Sequence, residues 1–332
     1  MEDFTFFILA YNQEDMIVET LESIKYQIEK YGKNISCNLI VIDDCSKDST
    51  VTVVRKWTEQ NAYLFNEIDI HVNEQNQGVV NNHNWGLDHI KTKYFKELAG
   101  DDLFSSGNFF KIYDGFDDRT VRSYVCTELC GDRIVYDDMR LKLYYYNKLH
   151  KREKKYDLVA MRAGMFFHTP STIFTKDLYD FCECRKFNSK FRNFEDDPSW
   201  YMMVKKHDDI SIEFIDDIIV LYRIHEKSIS TSKTSEFSAA FMAEVRKLHA
   251  AYYEDCTGFE KLIMWFRKTE GIHKIFKLDK YYLRLRRMYI NIWADRNQEY
   301  KLFNKAMLER FKAEEEYYKY IKEQADLFYG IV

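Results

Sequence analysis

Proline is almost missing from this chain, with two in 332 residues, and glycine is sparse at 11. A fibrous repeat and a proline- and glycine-rich disordered chain are both excluded by that scarcity. The seven cysteines (37, 45, 126, 130, 182, 184 and 256) are odd in number and form no paired Cys-x-x-Cys arrays. A disulfide framework or a structural zinc site is therefore not expected, and a reducing compartment is. No apolar run approaches the roughly 20 residues that cross a bilayer. Neither sign of charge dominates, with 49 basic and 54 acidic residues, so the global basic footprint of a nucleic-acid binder is lacking and no nucleic-acid partner is expected. The opening Met1-Glu2-Asp3-Phe4 has no basic leader, which predicts a cytoplasmic protein, with the inner face of the cell membrane as its place of any surface attachment. Gly-x-Gly-x-x-Gly and Walker loops are missing too, which removes support from dehydrogenase and P-loop readings.

What is present is the material of a packed core. Hydrophobic residues make up 46% and aromatic residues 17% of the chain, enough for one large domain with an appendage or for two modest domains. Phe4 to Leu9 reads as a strand covered on both faces; Glu14 and Asp15 then precede a helix carrying Ile17, Leu21, Ile24, Ile28 and Tyr31, with acids in its first turn. Cys37 to Ile42 is a second strand, and the capping-rich run Asp43 to Thr50 leads into a helix with Val51, Val54 and Trp57. Ile68 to Val72 is a third strand. A polar loop and a helix then lead to Tyr94–Phe104, a strand-like run that ends in Gly100, Asp101 and Asp102. This alternation predicts an α/β fold with a mainly parallel, doubly wound sheet. In such a sheet Tyr11, Asn12, Asp44 and Asp101 converge at one edge. Two adjacent carboxylates there suit a divalent metal and a diphosphate, or else they solvate a turn.

Ile8-Leu9-Ala10-Tyr11-Asn12, Val41-Ile42-Asp43-Asp44-Cys45-Ser46, Asn76-Gln77-Gly78-Val79 with Asn84-Trp85-Gly86-Leu87, and Gly100-Asp101-Asp102 follow one another in a spacing that resembles family 2 glycosyltransferases of the GT-A fold. The resemblance covers residues 4 to about 230. It implies that Ala10, Tyr11 and Asn12 line a nucleoside, that Asp44 accepts a hydrogen bond from the base, with a lean to uracil, and that Asn84 and Asp101 complete the nucleotide site. Asp44 also reads as an acid favoured at a helix start, and Glu14 either assists at the nucleoside or serves its helix dipole. Asp101, Asp102 and His225 are the expected holders of Mn2+ or Mg2+; the family's usual acid two positions earlier is Ala99 here. His83 stands where the family often has Arg, and reads either as a diphosphate contact or as a helix-surface histidine.

Further along, Leu141-Lys142-Leu143-Tyr144-Tyr145-Tyr146 reads as exposed strand or hairpin within residues 117–155. Met161 to Phe174 is similar to the family's acceptor-side segment, and Cys182 and Cys184 read as packing thiols. Asn193-Phe194-Glu195-Asp196-Asp197-Pro198 is similar to the Glu-Asp motif of inverting members. That resemblance implies that Asp196 takes the acceptor's proton while Glu195 positions the acceptor; Asp197 remains an alternative base, and a helix N-terminus an alternative reading. Tyr222-Arg223-Ile224-His225 is a recurring family segment, in which His225 contacts diphosphate or metal or is structural, and the loop Lys227–Ser235 is expected to close over the donor. Beyond residue 235 the chain reads as helical. Residues 261–287 hold nine Lys or Arg against two acids, which suits an anionic membrane surface, a solvated face or a homo-oligomer contact.

The domains expected are 1–232, split at 104 into nucleotide and acceptor halves, and a helical region over 233–332. The function implied is an inverting, metal-dependent hexosyltransferase that moves a sugar from a UDP-type donor to a hydroxyl of a glycan or lipid-linked glycan in bacterial capsule, O-antigen or exopolysaccharide synthesis. A non-catalytic nucleotide-sugar or glycan module and a sugar-nucleotide pyrophosphorylase are the rivals, the latter weakened by the lack of a Gly-rich basic loop. A glycosidase has no need of a nucleotide platform.

Overall fold

The computed structural model describes residues 3–150, 168–226, 235–268 and 278–331. Most of the Met161–Phe174 segment, the expected closing loop at 227–234, and residues 269–277 of the basic stretch lie outside the described residues.

Strands β1 (Asp3–Ala10), β2 (Ser36–Asp43), β3 (Glu67–Val72) and β4 (Phe95–Ala99) form a wholly parallel sheet in the order β3-β2-β1-β4. Helices α1 (Ile17–Tyr31), α2 (Thr50–Asn61) and α3 (Val79–His89) connect them. Phe4, Phe6, Phe7 and Ile8 of β1 are fully buried, as a strand covered on both faces requires. On α1, Ile17, Leu21, Ile24 and Ile28 turn one stripe into the same core. Glu14 and Asp15 lie in the loop before the helix, as expected, and Glu19 is the acid of its first turn. On the other face α3 lies hard against β1. A Cβ at Gly86 would stand 2.0 Å from Phe7 Cζ, so glycine is what allows that approach.

Strand order places the functional edge. The chain winds outward through β1, β2 and β3, then returns to the other side of β1 as β4, which makes the β1/β4 boundary the switch point where open α/β sheets bind ligands. Register aligns the ends: Ala10 sits opposite Asp43, and Leu9 opposite both Ile42 and Ala99.

The second half adds two small mixed sheets. Its strands are β5 (Leu103–Phe104), β6 (Thr120–Tyr124), β7 (Thr127–Cys130), β8 (Arg133–Val135), β9 (Thr172–Ile173), β10 (Ser211–Ile215) and β11 (Val220–Ile224), ordered β5-β11-β7-β8 and β10-β6-β9. Its helices are α4 (Asp138–His150), α5 (Lys176–Phe181), α6 (Cys184–Asn188) and α7 (Asp196–Lys205). The run Leu141–Tyr146, expected as exposed strand, belongs to α4. Leu141, Tyr144 and Tyr145 recur at helical spacing and are buried, and the Tyr144 hydroxyl donates to Ile215 O at 2.6 Å. Core contacts override the β preference of those tyrosines. Cys182 and Cys184 are buried packing thiols, as expected.

The last part is helical: α8 (Ser235–Asp255), α9 (Gly258–Lys268), α10 (Leu278–Arg296) and α11 (Gln298–Tyr329). Among the described residues no helix is long and apolar enough to cross a membrane. α11 packs along α1 rather than standing apart. Its Glu314 is wholly buried and accepts from Ser106 N at 2.9 Å and Ser106 Oγ at 2.7 Å, with Arg310 ion-paired beside it.

Candidate active site

A cavity of about 940 Å³ opens at the C-terminal ends of β1, β2 and β4 and extends to the start of α7. At the β1 end it is lined by Ala10, Tyr11, Asn12 and Asp44. Tyr11 is 47% exposed, so its ring is available at the mouth. Asn12 takes a left-handed conformation, φ +51°, in which its N–H donates to Ser46 Oγ and its Oδ1 accepts from Lys47 N, each at 2.8 Å. The two loops that follow β1 and β2 are thereby tied together.

Asp44 is buried, and its carboxylate accepts from three donors: Gln77 N at 2.6 Å, Gly78 N at 3.0 Å and Asn73 Nδ2 at 3.0 Å. It closes the loop before α3 onto the end of β2 while still facing the cavity. Asp43 serves the turn instead, accepting from Ser46 N at 2.8 Å.

Two residues expected at the nucleotide lie elsewhere. The Glu14 carboxylate accepts from Ser49 N at 2.7 Å, so it is spent at the start of α2 and is absent from the cavity wall. Asn84 is absent too, and Asn82 takes its place, buried and accepting from Asn73 Nδ2 at 2.7 Å. Two residues on a helix turn a side chain through about 200°, and sequence alone did not fix which asparagine faces inward.

The adjacent carboxylates after β4 are not equivalent. Asp101 Oδ2 lies 2.7 Å from His225 Nε2, and both line the cavity. Asp102 is 1% exposed, and its Oδ1 accepts from Arg223 N at 2.8 Å. Burial first, and the Asp101 charge second, push the Asp102 pKa well above the usual carboxylate range. Arg223 ties both acids to the fold: Nε donates to Asp101 O at 2.8 Å, and the guanidinium pairs with buried Glu19 of α1 and reaches Tyr318 Oη of α11 at 3.5 Å. Among the described residues no three His, Cys, Asp or Glu side chains converge as a metal cage. Asp101 and His225 supply one oxygen and one imidazole nitrogen, a donor pair that fits a Mn2+ or Mg2+ site completed by ligand oxygens and water.

The same cavity is lined by Glu195, Asp196 and Asp197 at the N-terminus of α7, with Pro198 in its first turn. Asp196 Oδ1 accepts from Asp197 N at 2.7 Å, so the helix-start reading and a cavity-facing role coexist. All three pKa values are raised, chiefly by burial. Glu97 and Asp196 add to the rise at Glu195, and Asp196 adds to it at Asp197, which is pushed up to about 7. Asp197 is the one of the three most open to solvent.

Sequence reasoning missed part of the floor. Lys96 is a buried lysine in β4 whose Nζ donates to Thr172 O at 3.1 Å and Thr169 O at 3.3 Å. Burial lowers its pKa to about 8, against the raising effect of Glu97, Asp102 and Glu195. The signal was a lysine inside an otherwise covered parallel strand. His83 is no helix-surface histidine: it is 3% exposed, its Nδ1 pairs with Glu97 Oε2, and its ring packs on Tyr179 with centroids 5.1 Å apart.

A parallel sheet whose switch point carries paired acids at the edge of a large cavity, itself lined by a second acidic cluster, is an arrangement of the GT-A fold class. The chain belongs to glycosyl transferase family 2, whose family model matches residues 5–179, and it is a glycosyltransferase. Over 116 residues it is 31% identical to the minor teichoic acid biosynthesis protein GgaB of Bacillus subtilis, a match covering 35% of this chain and 12% of GgaB. An uncharacterized glycosyltransferase of Rickettsia typhi is 22% identical over 255 residues, 73% of this chain and 71% of that protein. Among solved structures, S. aureus TarS in complex with UDP-GlcNAc superposes with a TM-score of 0.52 at 18% identity, covering 83% of this chain and 73% of that one.

Proposed function

We propose that this glycosyltransferase moves a sugar from a nucleoside diphosphate donor, UDP-linked, to a hydroxyl of a glycan acceptor with inversion at the anomeric carbon. The observation that carries this reading is that two acidic groups line one cavity: Asp101 with His225 at the strand ends, and Asp196 with its neighbours on α7. In this reading Tyr11 stacks on the base and Asp44 accepts from its N–H, while the diphosphate lies over Asp101. An acceptor hydroxyl approaches from the α7 side. Its oxygen forms the new bond to the anomeric carbon as the bond to the diphosphate oxygen breaks, and its proton passes to Asp196, because a sugar hydroxyl is a poor nucleophile without a base in reach. The electron pair of the broken bond leaves with the diphosphate. Mn2+ or Mg2+, held by Asp101 and His225, supplies charge neutralisation for that leaving group when bound. Glu195 orients the acceptor and the loop that carries Asp196.

UDP is favoured because the structurally similar TarS was solved with UDP-GlcNAc, and a cell-envelope polymer as acceptor because GgaB is named for teichoic acid biosynthesis. The domain arrangement that suits this reading has nucleotide and acceptor halves meeting near residue 104 and a C-terminal helical region that buttresses both. The test is calorimetric titration with a panel of nucleoside diphosphates, with and without Mn2+, on wild type and on Asp101→Ala, followed by donor turnover. Metal-enhanced binding of UDP that Asp101→Ala removes is the expected result. Binding of no nucleotide under any condition would sink the proposal.

A further inference from the structure

Helix α10 turns apolar side chains to two opposite faces. Inward, Ile290 is fully buried and packs with Tyr146, Met139 and Leu143 of α4. Outward, Tyr281 is 60%, Leu285 60%, Met288 54%, Tyr289 55% and Ile292 46% exposed. At about 100° per residue these five positions fall within a single arc of roughly 100°. Single exposed apolar side chains are ordinary, but a continuous row marks a surface that is covered in function. The neighbouring α9, which packs against α10, adds Leu262 and Trp265, 45% and 37% exposed.

Charge identifies the cover. Arg284 and Arg296 are exposed on α10 beside or within this arc and Arg287 further round the helix, with Asp295 the exposed acid among the described residues of α10, although the whole chain carries a net charge of −5. We propose that this face lies on an anionic lipid bilayer. The arginines meet headgroup phosphates, while the leucine, methionine and isoleucine row and the tyrosines sink to the headgroup–acyl boundary, the depth at which amphipathic helices and aromatic rings rest. A second copy of the chain fits less well, because two-fold pairing of the row would set these arginines against their own kind. The surface overlaps the basic stretch expected from sequence and continues beyond it to Ile292. It also lies one helix from the cavity, since α10 packs on α4 and α4 contributes Arg140 to the cavity wall.

The test is flotation of the full chain with vesicles of phosphatidylcholine alone and of phosphatidylcholine mixed with phosphatidylglycerol, beside sedimentation equilibrium. Binding to the mixed vesicles only is expected. Arg284→Glu/Arg296→Glu and, separately, Leu285→Gln/Met288→Gln/Ile292→Gln should each weaken it by roughly tenfold or more, with unchanged circular dichroism. The result that overturns the proposal is equal or no binding to the two vesicle types. A wild-type oligomer that the glutamine variant converts to monomer, without vesicle binding, would overturn it too and assign the row to a second copy. Neither readout depends on turnover.

Discussion

Glu19, in the first turn of α1, and Arg223, near the end of β11, are 204 positions apart and form a buried ion pair against the Asp101–Asp102 turn. The same guanidinium holds the Asp101 carbonyl, and the Arg223 amide holds the Asp102 carboxylate. Two distant segments therefore fix the two acids.

Removing one partner of such a pair leaves the other charge buried and unmet. Glu19→Ala should destabilise the fold by about 3–5 kcal/mol, measured by urea unfolding. Arg223→Lys keeps a charge but not the planar fork that reaches three groups. It should weaken Mn2+-dependent nucleotide binding more than metal-free binding, and equal losses in the two titrations would refute a role for the pair in setting Asp101.

Asp196→Asn should lower kcat by about 10²–10⁴ and leave nucleotide affinity within a factor of about two, because in this reading Asp196 serves the acceptor while Asp44 and Asp101 serve the nucleotide. The comparison with Asp197→Asn decides between the two acids. A larger kcat loss in Asp197→Asn would transfer the base assignment to that residue.

Acid clusters also leave a mark on stability. Burial and Asp196 raise Asp197 to about 7, so the folded protein holds that proton more tightly than the unfolded chain does. The resulting stabilisation is complete below the unfolded carboxylate range, about 4, and is lost as pH rises through about 7; the raised pKa values of Glu195 and Asp196 act with the same sign. Tm should therefore fall between about pH 5.5 and about pH 8, and Asp197→Asn should flatten that slope. The Asp197 side chain keeps one side open to solvent while its neighbours desolvate the carboxyl, so screening keeps the effect modest. A Tm that rises over this interval in wild type would contradict the assignment.

Close packing of α3 on β1 yields a stability prediction independent of chemistry. The methyl group of Gly86→Ala would meet the fully buried Phe7 ring, and overpacking of that kind costs about 1–3 kcal/mol. Thermal unfolding should show a clear loss, and an unchanged Tm would mean that the helix can withdraw from the sheet.

The parallel half of the fold was legible because apolar runs and helical stripes in β1, α1, β2 and α2 agree with what covers them. Convergence on one cavity was legible where a residue follows a strand end directly, as Tyr11, Asp44 and Asp101 do. Where a helix intervenes, the asparagine that lines the cavity is Asn82, a neighbour two positions from the expected Asn84. Glu14 was misplaced because its partner, Ser49 N, lies 35 positions away, and the role of α11 was hidden for the same reason: Glu314 and Ser106 are 208 positions apart. Lys96 and His83 are polar residues in covered positions. Their burial depends on the α7 and 168–174 segments folding over them, which no local pattern announces.

Asp44 provides the test that separates architecture from recognition. Its two oxygens accept from the backbone amides of Gln77 and Gly78 and from the Asn73 side chain. Asn at this position has one accepting oxygen and an amide that can only donate, so one of these donors would face another donor. Leaving such a group unsatisfied costs about 1–3 kcal/mol, and that cost falls on the loop that opens α3. If Asp44 also accepts from the base, Asp44→Asn loses nucleotide affinity beyond this loop penalty, and the excess should be largest for uracil. Titrating UDP and a purine diphosphate against the variant resolves the two effects. Equal losses for both nucleotides would leave Asp44 with the loop alone, and the recognition of the base would then rest on Tyr11 and the backbone of Ala10.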